Sequence, residues 1–127
     1  MTDPAVNRPL VIAGIEDIFF SAKIEPVARE TGVELRVALD AAQLQTALDE
    51  RLPALIILDL NSKTCGPLDA IRRIKADRRL SSVPLVGFLS HVQAELEAAA
   101  REAGCDHVMP RSAFSKNLAK ILGQAKA

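Results

Sequence analysis

Asp59 follows directly on four apolar residues, Leu55-Ile56-Ile57-Leu58, and precedes the polar, turn-forming run Asn61-Ser62-Lys63-Thr64-Cys65-Gly66. An apolar run of this length, bounded by Pro53 and Gly66, reads as a strand buried on both faces of a sheet. Asp59 then stands at its carboxyl end, where open parallel α/β sheets form their ligand-binding crevices. An aspartate at such a place can act as a nucleophile or a metal ligand, or it can simply cap or turn the chain. Other residue types that do chemistry are scattered. His91 and His107 have no Ser, Cys or acid nearby in a triad-like arrangement. Cys65 and Cys105 match no metal or redox spacing and read as two small reduced thiols, with a redox role for Cys65 beside the crevice the lesser alternative. Gly14 stands alone, without the glycine series of nucleotide-binding loops, which argues against a nucleotide ligand.

The elements needed to hold Asp59 in place are legible in order. Leu10-Val11-Ile12-Ala13, ending at Gly14, reads as a first buried strand. A helix is predicted from about Ile18 to Glu30, with Ile18, Phe19, Ala22, Ile24, Val27 and Ala28 on its apolar face and Thr31-Gly32 as its stop. Pro26 implies a kink there, or a start later than Asp17. Asp17, and with it Glu16, is placed to cap this helix or complement its positive end. Val33 to Val37 alternates apolar and polar residues, as an edge strand with one solvated side would. Asp40 caps a second helix running to Arg51, and Pro53 separates it from the Asp59 strand. A third helix runs from Pro67 to about Arg79, a fourth strand from Pro84 to Leu89 and a fourth helix from about Val92 to Ala103. A fifth strand from about Asp106 to Met109 and a last helix from about Ser112 to Leu122 close the series.

Strands alternating with helices imply one parallel sheet covered on both faces by right-handed crossovers. The expected fold is α/β, a flavodoxin-like (βα)5 three-layer sandwich of strand order 2-1-3-4-5, with its core over about residues 8 to 123. Gly14 and Asp59 then flank the crevice at the switch point. A chain of 127 residues has room for one domain. With no second module in the sequence, output through a protein contact is the expectation. Sixteen basic and sixteen acidic residues balance, and aromatics are 3% with no Trp or Tyr, so nucleic acid is not an expected partner. The basic run Arg72, Arg73, Lys75, Arg78, Arg79 reads as a solvated helix face balanced by Asp69 and Asp77, with an acidic docking partner as the alternative. No apolar run could span a bilayer and no targeting segment is visible, so a cytoplasmic protein without membrane association is expected.

With its third strand ending in Asp59, the chain resembles, over nearly its whole length, the receiver domains of bacterial response regulators. The resemblance implies that Asp59 is the phosphoacceptor, served by a histidine kinase and helped by magnesium. Receivers carry an acidic pair for the metal roughly 45 residues before the acceptor. Here those positions are Gly14 and Ile15, which offer a hard cation no carboxylate. Glu16 and Asp17 follow and could reach the crevice only if the loop is rebuilt. Asn61 stands where the family lends a backbone carbonyl to the metal. The Thr/Ser position falls on Leu89, with Ser90 next to it, and Arg111 replaces the Lys that grips the phosphoryl group. Val108 stands where many receivers carry an aromatic switch. The resemblance therefore implies a degenerate receiver that is no enzyme and keeps at most a weak magnesium site of Glu16, Asp17, Asp59 and Asn61. Its partner would be a histidine kinase or a downstream signalling protein, or a second copy docking through the last two helices and fifth strand. A phosphorylatable single-domain regulator with a rebuilt metal site is the alternative, and a small enzyme using the Asp59 crevice a distant one.

Overall fold

The computed structural model describes residues 8–126. The central sheet is built from β1 (Leu10–Gly14), β2 (Glu34–Ala38), β3 (Leu55–Asp59), β4 (Leu85–Leu89) and β5 (His107–Pro110). Between and after them lie α1 (Ile18–Thr31), α2 (Ala41–Glu50), α3 (Pro67–Ala76), α4 (Ala94–Ala103), α5 (Arg111–Lys116) and α6 (Leu118–Gly123), with a short 3-10 turn over Gln124–Lys126. All strand pairings are parallel and the order is β2-β1-β3-β4-β5, the flavodoxin-like arrangement expected from the sequence.

Every residue of β1, β3 and β4 is buried, which is why these strands carry unbroken apolar runs. Successive side chains divide between two cores, as the two-residue period of a strand requires. Leu10, Ile12, Ile56 and Leu58 pack with α2 and α3 residues on one face. Val11, Ala13, Leu55 and Ile57 pack with α1, α5 and α6 on the other. No helix among the described residues is long and apolar enough to cross a membrane.

The sequence expectation is modified in four elements. α1 starts at Ile18, because Asp17 caps it, and continues through exposed Pro26 to Thr31, where Gly32 closes it at φ 83°. Its buried stripe is Phe20, Ile24 and Ala28, while Ile18 and Phe19 face outward at 57% and 79% exposure. β2 does not alternate: α1 and α2 cover its two faces, and Glu34 and Arg36 pair with Arg51 and Glu50, so both faces are half-buried. α3 ends at Ala76, three residues short of Arg79, because Asp77 turns extended and its carboxylate accepts the Arg79 N–H. The predicted last helix is two helices: the Asn117 backbone N–H and side-chain amide both donate to the Ala113 carbonyl, and its φ of −108° breaks the run.

Candidate functional site

Asp59 is the last residue of β3 and is 4% exposed. One carboxylate oxygen, Oδ1, accepts the Asn61 N–H at 2.9 Å, and Oδ2 lies 3.7 Å from Arg111 Nη2. Burial outweighs both stabilising contacts and pushes the Asp59 carboxyl above the ordinary aspartate range, with Glu16 and Asp17 adding repulsion.

Neither neighbouring acid is free. Glu16 Oε1 accepts the Ser62 hydroxyl at 2.8 Å, the Lys63 N–H at 2.5 Å and the Thr64 N–H at 3.3 Å. These bonds, that from Ser62 foremost, hold its carboxyl below the usual glutamate range and fasten the β3–α3 loop to the β1–α1 junction. Asp17 Oδ1 accepts the Phe19 and Phe20 N–H groups at 3.0 and 3.1 Å, a helix cap, while Oδ2 stands 3.6 Å from Arg111 Nη1. The capping expectation is met by Asp17 and not by Glu16, which is drawn across the crevice instead.

Arg111 opens α5 and reaches back over the crevice, its side chain about one-third exposed at 32%. The guanidinium carbon lies 4.2 Å from the Phe20 ring centroid and 5.5 Å from that of Phe88. Phe88 stacks on Phe114 at 4.7 Å, so three phenylalanines form an aromatic shelf beneath one cation.

Gly14 and Ile15 belong to the core. A Cβ at Gly14 would stand 2.9 Å from Leu58 Cδ2, and Ile15 is fully buried with its N–H on the Ala38 carbonyl. Leu89 is likewise core, and Ser90 beside it is turned to the crevice loops. The Asn61 side chain is a latch. Its Oδ1 accepts the Ser90 N–H at 2.7 Å and the Ser90 hydroxyl at 2.8 Å, and its Nδ2 donates to Gln93 Oε1 at 2.8 Å. The β3–α3 and β4–α4 loops are thereby joined. Gln93 was invisible to sequence reasoning because no pattern links residues 32 positions apart.

A hard divalent cation needs several oxygen ligands at once. In this structure the side chains of the expected set, Glu16, Asp17, Asp59 and Asn61, are turned to other partners. Glu16 Oε1 takes three bonds from the loop, Asp17 Oδ1 caps a helix, the Asn61 side chain is tied to Ser90 and Gln93, and a guanidinium stands between the Oδ2 atoms of Asp17 and Asp59. Among the described residues no group of three or more His, Cys, Asp or Glu is placed to hold a metal. The thiols are also poor ligands: Cys65 and Cys105 are buried and unlinked, burial raises both, and Cys105 is pushed up to about 11. Of the basic residues on α3, Arg72 pairs with Asp69, Lys75 with Asp106, and Arg79, just beyond the helix, donates to the Leu48 carbonyl. Asp77 takes up the Arg79 N–H instead of balancing the face as expected.

The fold is that of response regulator receiver domains. The chemotaxis response regulator CheY4 of Vibrio cholerae superposes with a TM-score of 0.82 at 14% identity, covering 94% of this chain and 99% of CheY4. An atypical orphan response regulator, described as having a phosphorylation-independent regulatory mechanism, superposes with a TM-score of 0.75 at 20% identity, covering 92% of this chain and 95% of that one. In sequence, the transcriptional regulatory protein PrrA of Mycobacterium tuberculosis is 27% identical over 126 residues, 98% of this chain and 52% of PrrA. The chain thus spans about half the length of the curated relatives it matches. No protein-family model matches it.

Proposed function

We propose that the chain is a receiver-like module of two-component phosphorelay signalling. It works in the cytoplasm through protein–protein contacts, with magnesium-dependent phosphorylation of Asp59 impaired or absent. The observation that carries the reading is the engagement of Glu16 and Asp17, one by the β3–α3 loop and the other by the first turn of α1. Phosphoryl transfer to an aspartate joins two anionic groups, so it proceeds by positioning and by cations that neutralise the transition state. Among the described residues Arg111 is the cation that contacts Asp59, and a metal between Asp17 and Asp59 would have to displace it.

A binding role is further supported by apolar groups at the crevice end of the sheet. Ile18 and Phe19 on α1 and Val92 in the β4–α4 loop are exposed, Val92 at 76%. Large side chains in water at one end of a domain suit contact with a protein. The partner is a histidine kinase or a downstream signalling protein, with self-association through α4, β5 and the α5–α6 segment as a further mode. The module is read as a binder and not as an enzyme, since among the described residues the acids beside Asp59 are engaged by the loop and the α1 cap and not poised for acid–base or nucleophilic work.

Titration with magnesium and fluoroberyllate, a mimic of the phosphoryl group, tests this by NMR. The amide signals of Asn61, Ser62 and Ser90 are expected to stay where they are. Saturable shifts at those amides that vanish in Asp59→Asn would establish the phosphorylatable alternative.

A further inference from the structure

We infer that Arg111 is the resident cation of the crevice: its guanidinium stands between Asp17 and Asp59 in place of a divalent ion, and removing its charge turns the crevice into a divalent-cation site. The inference rests on the receiver-like reading only in naming a divalent ion as the cation displaced.

The geometry is that of a shared counter-ion. A guanidinium dedicated to one carboxylate forms two parallel hydrogen bonds at about 2.7–2.9 Å. Here Nη1 faces Asp17 at 3.6 Å and Nη2 faces Asp59 at 3.7 Å, one nitrogen for each of two carboxylates carried by different segments. The same first turn of α1 supplies the Asp17 cap and the Phe20 ring on which the cation rests at 4.2 Å. A planar, permanently charged group can span the acids while lying on the ring, an arrangement that suits a guanidinium better than a compact, strongly hydrated ammonium. With the guanidinium gone, the Asp17 and Asp59 oxygens that now face Arg111 would have no counter-charge. Two uncompensated carboxylates are the ordinary protein contribution to a divalent site.

Manganese, read by paramagnetic broadening of backbone amides, is the probe. In the native chain the Asn61 and Ser62 signals are expected to stay sharp as manganese is added. In Arg111→Ala they are expected to broaden saturably, with affinity raised at least about tenfold, and the further change Asp17→Asn should remove that gain. Arg111→Met keeps a hydrocarbon stem over Phe20 and removes the charge, so it serves where the alanine variant fails to fold. Native protein that takes manganese at Asp59 as tightly as the variants would overturn the inference. So would a folded Arg111→Met that gains no affinity. Occupancy by metal is the readout, so a native chain that refuses both metal and phosphoryl mimic, paired with a variant that gains no site, defeats this inference and leaves the proposed function standing.

Discussion

Asp59 and Glu16 share one crevice and respond to it in opposite directions. Burial raises Asp59, so its folded form holds a proton more tightly than the unfolded chain does. The stability it contributes is fully present below the unfolded pKa and is lost as pH rises through the raised value. Hydrogen bonds lower Glu16, so its contribution is present above the unfolded pKa and is lost as pH falls through the depressed value. Asp59→Asn removes the first effect alone. Its stability relative to the native chain should therefore climb with pH above about 4, by at most about 1.4 kcal/mol per pH unit of the window, as read from urea midpoints. A difference that is flat, or that grows toward acid, would contradict the burial of this carboxylate. The residue types of the crevice were visible in the sequence, including the capping place of Asp17. Their engagements were not, since Glu16 bonds residues 46 to 48 positions away and Asn61 bonds Ser90 across 29.

The β3–α3 loop is the element on which the site depends. Glu16 holds it from the β1–α1 loop, the Thr64 hydroxyl donates to the Leu39 carbonyl at 2.7 Å, and Asn61 ties it to the β4–α4 loop. It enters α3 through Gly66 in the left-handed region at φ 57°, followed by Pro67 in the first turn. Nothing lies within 4 Å of a Cβ built there, so a substitution meets backbone strain and no clash. Gly66→Ala is expected to cost about 1–2 kcal/mol in urea unfolding, and Gly66→Asn clearly less, because asparagine tolerates this conformation. Equal losses in the two would show that something other than backbone conformation sets the requirement. Gly66 and Pro67 were readable as a loop end and helix start. The early stop of α3 at Asp77 and the break at Asn117 were not, because each depends on side chains competing for backbone partners that helical periodicity does not register.

At the scale of the molecule, the sheet order was legible because buried runs at β1, β3 and β4 and the connecting helices leave few parallel arrangements. The shelf of Phe20, Phe88 and Phe114 was not, since it gathers α1, β4 and α5 and exists only once the crossovers have closed. That shelf, Arg111 above it and the engaged acids meet at the crevice end of the sheet. We propose that the molecule signals with magnesium-dependent phosphorylation of Asp59 impaired or absent. Intact-mass measurement after incubation with acetyl phosphate and magnesium tests it most directly. The native chain is expected to keep its mass, indistinguishable in this respect from Asp59→Asn. Gain of one phosphoryl group by the native chain and not by Asp59→Asn would contradict the claim.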